Sequence, residues 1–351
     1  MGFFRRIFHN DEEDSDNLNP PALEEESLET YTMNTSKSSD TDMIEEQTSE
    51  STNQSEEKVD NNGNSDDTIT LEQQRLSTEG VTRPLPIFEP PPPIKRIQYA
   101  QASDQGQVRT NNQDAAFSAL FLSDSADDRP DFGLFIVADG LGGHHDGEKA
   151  SALASKIVSH EVIQHFYLPQ ISDDSDTPPP PVTEVLVSAT KKANRKIIET
   201  IPDGGTTLTA VVIVGNRAYI SHVGDTRIYL VTMDKIEQLT HDHSIVQRLI
   251  DMKQITQEEA ETHHQKNFLY RALGPNDVLE VDTYVRKLPE NGYLLMCSDG
   301  LWGLIPNDII YQLVREATDL GETCHRLITI ANQNGGTDNI TAILIKLPDK
   351  E

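Results

Sequence analysis

The stretch FIVADGLGGHHDGEKAS, residues 135–151, joins an apolar run to a glycine-rich turn at Asp139. A carboxylate is costly to remove from water, so an aspartate at the end of an apolar strand is expected to be paired, exposed or bound to a cation. Glycines at 140, 142 and 143 allow a sharp turn and a close approach of the backbone to a ligand. Taken alone, these residues are compatible with a phosphate-binding loop, a zinc site, a site for a hard cation or a plain turn.

The composition argues against several classes of protein. The 351 residues include 58 acidic and 29 basic ones, a net charge of −29, which repels nucleic-acid phosphates, so we expect no nucleic-acid partner. No apolar run approaches the ~20 residues of a membrane span. The N-terminal MGFFRRIF passes directly into DEEDSD and does not form a secretory signal. Cys297 and Cys324, the two cysteines, give no disulfide framework, so we expect a cytoplasmic protein.

Residues 1–92 differ in composition from the rest of the chain. They hold 22 acidic and 6 basic residues, a net of −16, among many Ser, Thr and Asn residues. Such a segment cannot bury enough apolar surface to offset its ordering entropy, so we expect a disordered acidic tail. It ends in a proline-rich linker, PLPIFEPPPPIK at 84–95, that leads into a domain at 93–351. The apolar and basic MGFFRRIF is either a frayed terminus or a segment that docks on a membrane or a partner.

Beyond residue 96 the sequence has the pattern of a folded domain. Apolar runs rich in β-branched residues predict strands at 132–138, 207–214, 218–223, 226–231, 292–297 and 339–346. Helices are predicted at 148–166, 183–200, 244–251, 256–263, 305–317 and 320–333. Thr183 is the expected N-cap of the second helix. Runs of strands separated from pairs of helices favour an α+β fold over a doubly wound sheet.

Acidic residues recur at the ends of the predicted strands. Besides Asp139, they are Asp225 in SHVGDTR, Asp299 in LLMCSDGLWG and Asp338 in GGTDNITAILI, with Arg109 and Asp114 upstream in SDQGQVRTNNQD. A single Asp-Gly turn is most often an ordinary β-turn. Several carboxylates gathered at one end of a sheet repel each other unless a positive charge lies among them. Oxygen ligands of this kind favour Mg²⁺ or Mn²⁺, although the pattern alone leaves the fold open.

Eight stretches, in order and spacing, resemble the motifs of the metal-dependent Ser/Thr protein phosphatases, the type 2C or PPM family, in its bacterial form. They are SDQGQVRTNNQD (103–114), VADGLGGHHDGEKAS (137–151), GGTTLTAVVIV (204–214), HVGDTRIYL (222–230), LTHDHSIVQRLID (239–251), RALG (271–274), CSDGLWG (297–303) and GGTDNIT (335–341). The resemblance covers roughly 97–348. It implies a central β-sandwich of two mostly antiparallel sheets flanked by helix pairs, in four α-β-β-α layers, with a two-metal site at one end.

The resemblance also implies roles for the strand-end acids. Asp139 is expected to bridge two Mn²⁺ or Mg²⁺ ions, and the carbonyl of Gly140 to complete the shell of one of them. Asp299 and Asp338 are expected to hold the other ion. Two such ions lower the pKa of the water between them and orient it for in-line attack on phosphorus.

Three further residues receive roles in the same way. Arg109 is expected to grip the phosphate oxygens with its planar guanidinium. Asp114 is expected to orient the metal-bound water without contacting an ion itself. Asp225 is expected to help bind a third, weaker ion near Asp299.

The chain departs from the family pattern at four positions, of which Thr226 in place of Ser is a mild change. Gln113 stands where the family usually has Glu, so the second ion is expected to bind this site more weakly or through water. Gly303 stands where an acid often follows the Asp-Gly turn, which weakens the case for the third ion. Leu141 replaces the His of animal members, so the leaving alkoxide is expected to take its proton from water held by the metals.

Other readings of the same residues have less support. A zinc site at His144 and His145 lacks any Cys-x-x-Cys or His-Glu-x-x-His pattern. The glycine turn is not followed by the Gly-Lys-Ser/Thr of a nucleotide-binding loop. Cys297 lies in an apolar run and is expected to be a core residue.

Three functions follow from these expectations. The first is hydrolysis of phosphoserine and phosphothreonine in proteins, in opposition to intracellular Ser/Thr kinases, by a monomer whose segment 241–274 forms a flap that gates substrate access. The second is a weakly catalytic scaffold that holds phosphoproteins, which Gln113 would favour. The third is a regulatory phosphatase acting on an anti-sigma-factor antagonist, a role that normally comes with a sensor domain.

Overall fold

The apolar runs of the sequence form two antiparallel sheets. The computed structural model describes residues 96–123, 130–142, 146–172 and 179–349. The predicted tail and the proline-rich linker lie outside the described residues, as do His144 and His145.

The first sheet has five strands in the order β1-β11-β10-β7-β8. These are β1 (Gln98–Asp104), β7 (Arg227–Val231), β8 (Ile236–Gln238), β10 (Tyr293–Cys297) and β11 (Ile340–Lys346). The second sheet has six strands in the order β2-β3-β5-β6-β9, with the short β4 paired to β3. These are β2 (Asp114–Phe121), β3 (Phe132–Leu141), β4 (Gly205–Thr206), β5 (Leu208–Val214), β6 (Arg217–Val223) and β9 (Asp282–Lys287).

Helices cover the outer face of each sheet. On the second sheet they are α1 (Asp146–Val162), which continues as a π-helical turn (Ile163–Tyr167) into α2 (Leu168–Ile171), and α3 (Val182–Thr200). On the first sheet they are α6 (Asp299–Trp302), α7 (Asn307–Arg315) and α8 (Leu320–Gln333). The short α4 (Ile245–Asp251) and α5 (Gln257–Glu261) lie between β8 and β9 in the chain. No helix of the described ranges has both the length and the apolar character needed to cross a membrane.

The strand β3 shows why the central runs are apolar throughout. Leu134 and Ile136 point to the core beneath α1 and α3, whereas Phe135 and Val137 point to the core between the two sheets. Successive side chains of a strand point to opposite faces, so a strand covered on both faces is apolar at every position. A third core lies between the first sheet and helices α7 and α8. The four-layer α+β sandwich expected from the sequence is therefore confirmed.

The predicted elements differ from the observed ones in several places, among them the short helix α6, which was not predicted. Helix α3 begins at Val182 with Pro181 at its N-cap and no side-chain cap, so the N-cap expected at Thr183 is wrong. Five strands were not predicted from apolar runs. One is the two-residue strand β4. The other four, β1, β2, β8 and β9, are edge strands, where one face stays partly exposed and the sequence does not need to be apolar throughout.

Pairing in the two sheets brings the strand-end acids to one end of the sandwich. Asp114 is directly opposite Asp139 in the β2–β3 ladder. Cys297, at the end of β10, pairs with Ala342 near the start of β11 and with Arg227 at the start of β7. These three strand ends lie side by side. The acids next to them are Asp299 after β10, Asp338 before β11 and Asp225 before β7.

Candidate active site

Five carboxylates face one another at this end of the sandwich. The charges of Asp114, Asp299, Asp225 and Asp338 all act on Asp139. Asp225 is 5% exposed, whereas Asp114, Asp139 and Asp299 keep partial exposure. The structure thus brings together the acids that the sequence placed at separate strand ends, with an opening to solvent.

The surroundings of these carboxylates disfavour their charged forms. Burial, together with the charges of Asp338 and Asp114, raises the pKa of Asp299 to about 7. Burial also raises the pKa of Asp114 to about 6, against the opposing effect of the Thr341 and Ser298 hydroxyls. The pKa values of Asp139 and Asp225 lie well above their usual range, first through burial and then through neighbouring carboxylates. Such a group of like charges is stabilised by any cation placed among them.

Two carboxylate oxygens of the cluster have no hydrogen-bond partner. These are Oδ1 of Asp114 and Oδ1 of Asp299, both buried. The other oxygen of Asp114 accepts a hydrogen bond of 2.7 Å from the Ser298 hydroxyl. Buried polar atoms are nearly always partnered in native proteins, and an exception calls for an explanation such as a bound ion.

Arg109 provides a positive charge at the edge of the cluster. Its Nη2 lies 2.6 Å from Oδ2 of Asp338, and its side chain is 48% exposed. The hydrogen bond to Asp338, together with the charges of Asp338, Asp299 and Asp139, raises the pKa of the guanidinium against the effect of burial. Arg109 therefore remains charged, and part of its donor capacity faces solvent beside the carboxylates.

Comparison with known proteins identifies the family of this chain. Residues 105–344 match the family model described as Protein phosphatase 2C. The chain belongs to the protein phosphatase 2C family. The serine/threonine phosphatase stp of Listeria innocua is 34% identical over 250 residues, which cover 70% of this chain and 93% of that protein. The family predicted from the eight motifs is thereby confirmed, as is the predicted class of enzyme, a phosphatase.

Solved structures of the family share the fold. The serine/threonine phosphatase of S. agalactiae has 33% sequence identity and a TM-score of 0.61, over 72% of this chain and 99% of that chain. The catalytic domain of the phosphatase PstP, solved in complex with two manganese ions, has 33% identity and a TM-score of 0.57, again over 72% of this chain and 99% of that chain.

Within this phosphatase 2C fold, Gly140 permits a close contact behind the carboxylates. Its N–H donates to the Gln113 carbonyl over 3.1 Å, and a Cβ on Gly140 would collide with the carbonyl oxygens of Gly147 and Gln113. The Gln113 carbonyl also accepts a hydrogen bond of 2.6 Å from Ser151. Gln113 is buried, and its Nε2 lies 3.5 Å from the carbonyl oxygen of Gly142. The residue that departs from the family pattern is therefore packed against the glycine turn.

The buried histidines are structural. Nε2 of His222 lies 3.0 Å from the carbonyl oxygen of His241, so this nitrogen carries the proton, and Nδ1 accepts from the Thr209 hydroxyl over 2.9 Å. Nδ1 of His243 accepts from the Gly224 N–H over 3.0 Å. Cys297 is fully buried, as expected of a core residue.

Several residues that shape the site were missed by the sequence reasoning. Ser298 donates to Asp114, Trp302 donates from Nε1 to the Asp225 carbonyl over 3.1 Å, and Asn339 forms three hydrogen bonds with the loop that carries Arg109. Each lies in a motif that contains Asp299 or Asp338. Proximity in the sequence to one of these aspartates is therefore the feature that could have pointed to them. Their partners lie too far away in the chain to be recognised from sequence.

One cavity formed by the described residues lies away from the carboxylates. A cavity of about 690 Å³ lies between α3 and residues 277–283, and none of the five carboxylates lines it.

Proposed function

We propose that this phosphatase 2C chain hydrolyses phosphoserine and phosphothreonine in proteins with water activated at a binuclear Mn²⁺ or Mg²⁺ site. The observation that carries the proposal is the group of five carboxylates beside Arg109, two of them with a buried oxygen that lacks any hydrogen-bond partner. Catalytic residues of the phosphatase are then Arg109, Asp114 and Asp139.

The residues present fit a pair of hard cations. The donors are oxygen atoms, the ligands preferred by Mg²⁺ and Mn²⁺. Among the described residues, no three His, Cys, Asp or Glu side chains already stand at ligand distance around one point. Asp338 is held by Arg109, so binding would draw its carboxylate toward the others.

Each ligand of the expected set has a place in the proposal. Asp139 would contact both ions, the Gly140 carbonyl one of them, and Asp299 and Asp338 the other. Gln113 and Asp225 are weaker candidates, Asp225 for a third ion. When bound, the ions supply a water of lowered pKa and charge compensation at the phosphate.

The protein's own side chains bind and orient the reactants. Arg109 would bind the phosphate oxygens through the two donors of its planar fork, which match a phosphate better than the point charge of a lysine. Asp114, fixed by Ser298, would orient the attacking water in line with the phosphorus.

The substrates and surroundings follow from the same proposal. The phosphoproteins would be those modified by intracellular Ser/Thr kinases, and the enzyme would act in the cytoplasm as a monomeric domain at 93–351. The two cysteines, both free and buried, support a reducing compartment. Docking of the N-terminal segment on a membrane or partner stays a prediction.

The test is release of phosphate from a phosphothreonine peptide, with and without Mn²⁺. We expect activity that depends on Mn²⁺ and is abolished by Asp139→Asn, whereas the matched change Asp234→Asn, in an exposed turn, has no effect. Tight binding of the peptide without turnover would instead support the scaffold function that Gln113 favours.

A further inference from the structure

The loop that carries Arg109 has no regular secondary structure over 105–113. It connects β1 to β2 and lies against the connection between α8 and β11. Arg109 is half-exposed at its tip. A loop of this kind is flexible unless its backbone polar groups are bound elsewhere in the protein.

One side chain binds this loop at three points. Asn339, 4% exposed, donates from Nδ2 to the carbonyls of Gln105 and Asn111 over 2.8 and 2.9 Å. Its Oδ1 accepts from the N–H of Gln113 over 2.8 Å. An asparagine amide can form four hydrogen bonds, two as a donor and two as an acceptor. Asn339 therefore uses three of its four on one loop. They reach residues on both sides of Arg109.

The neighbouring backbone reinforces the same contact. Gln107 donates its N–H to the Gly336 carbonyl over 2.7 Å, and Asn332 donates to the Asp104 carboxylate over 2.9 Å. Gly106 has φ of +81°, and a Cβ there would collide with the carbonyl oxygens of Asp338 and Gly336. The loop and the α8–β11 connection are thus in direct backbone contact.

We propose that Asn339 is a positioning residue that holds the loop 105–113 so that Arg109 is presented to the phosphate. The inference rests on the proposed function, because Arg109 is the phosphate-binding group. A loop fixed beforehand does not have to be ordered each time a substrate binds. Loss of the three hydrogen bonds should therefore weaken phosphate binding, with less effect on the chemical step.

The experiment compares Asn339→Ala with Asn334→Ala in the full chain. Asn334 lies on the same connection but makes its side-chain hydrogen bond to the Leu304 carbonyl, away from the loop. We expect Asn339→Ala to raise KM for a phosphothreonine peptide about tenfold and to change kcat less than about twofold. Asn334→Ala should leave both values as in the wild type.

A double-mutant cycle with Arg109→Ala separates positioning from general damage to the fold. If Asn339 acts through Arg109, Asn339→Ala should raise KM little in the Arg109→Ala background. Equal effects in both backgrounds, an unchanged KM, or a fall in kcat alone would overturn the proposal. If Asn339→Ala does not fold, the replacement variant is Asn332→Ala. It removes the hydrogen bond to Asp104, the residue directly before the loop, and the same rise in KM is expected.

The two proposals fail in different ways. Absence of turnover in the wild type and in Asn334→Ala would overturn the phosphatase function and the role of Asn339 with it. Normal turnover in both, with unchanged KM in Asn339→Ala, would overturn only the role of Asn339.

Discussion

The guanidinium of Arg227 lies over the indole ring of Trp302, 3.5 Å from its centroid. Trp302 in turn donates to the Asp225 carbonyl, and Arg227 pairs through two nitrogens with Asp242, at 2.7 to 3.2 Å. The Gly-Asp turn of the acidic site is therefore connected to a buried ion pair through one aromatic side chain.

Loss of Arg227 should be strongly destabilising. The Arg227 and Asp242 side chains are 11% and 3% exposed, so Arg227→Ala leaves a buried carboxylate without its charged partner, although Gln238 still donates to it. We expect the free energy of unfolding to fall by about 3–5 kcal/mol, measured by denaturation in urea. The control Lys235→Ala breaks an exposed pair with Glu237 and should cost about 1 kcal/mol at most. Similar losses in the two variants would contradict this role of Arg227.

The stability of the protein should depend on His222 below neutral pH. Burial, helped by the nearby His243, lowers the pKa of His222 to about 3. The unfolded chain therefore binds a proton that the folded chain does not, at pH values between about 3 and 6.5, and stability falls as pH falls through this window.

The measurement compares wild type and His222→Gln by urea denaturation at pH 7 and pH 5. Between pH 7 and pH 5, the free energy of unfolding should fall by about 2 kcal/mol more in the wild type than in the variant. The reason is that one pKa unit corresponds to about 1.4 kcal/mol. Parallel pH dependence in the two proteins would show that His222 does not contribute.

Divalent cations should stabilise the folded protein. Mn²⁺ would relieve the repulsion among Asp139, Asp299 and Asp338, and an ion at a hundred times its Kd adds about 2.7 kcal/mol to the free energy of unfolding. We expect Mn²⁺ to raise the Tm of the wild type and of Asp234→Asn, but not that of Asp139→Asn. An equal rise in both variants would place the ions elsewhere.

Restoring the family's acid at position 113 should strengthen metal binding. Gln113→Glu adds a negative charge beside the site, and a unit charge about 4 Å from a divalent ion contributes about 2 kcal/mol even at the dielectric constant of water, or about thirtyfold in affinity. The Mn²⁺ concentration for half-maximal activity should fall accordingly. If it does not change, Gln113 is not near an ion.

The flap at 241–274 should affect large substrates more than small ones. Its base is joined by a bridge between Ser244 and Leu269 and a hydrogen bond of 2.8 Å from Ile245 to Phe268, so a short Gly-Ser linker in place of 248–265 leaves the base intact. We expect a greater loss of kcat/KM on a phosphopeptide than on a small aryl phosphate. Equal losses would argue against a gating role.

The sequence predicted the central strands, the helix pairs and the acids of the site, but not the edge strands or the residues that support the acids. The buried strand β3 carries no polar side chain from Phe132 to Ala138, and such runs are recognisable without a structure. The edge strand β9, DTYVRK, has no such signal. The partners of Asn339, at Gln105, Asn111 and Gln113, lie 226 to 234 positions away, and no local pattern predicts contacts at that separation.

The alternation of β3 between two cores has a consequence for how the enzyme tolerates change. A larger side chain at Ile136 would press on the helix layer and one at Val137 on the opposite sheet, yet both would shift the same strand and the metal-bridging carboxylate expected at its end. Substitutions acquired in either layer during evolution would thus be felt in catalysis, and compensating changes should be sought across the whole thickness of the molecule.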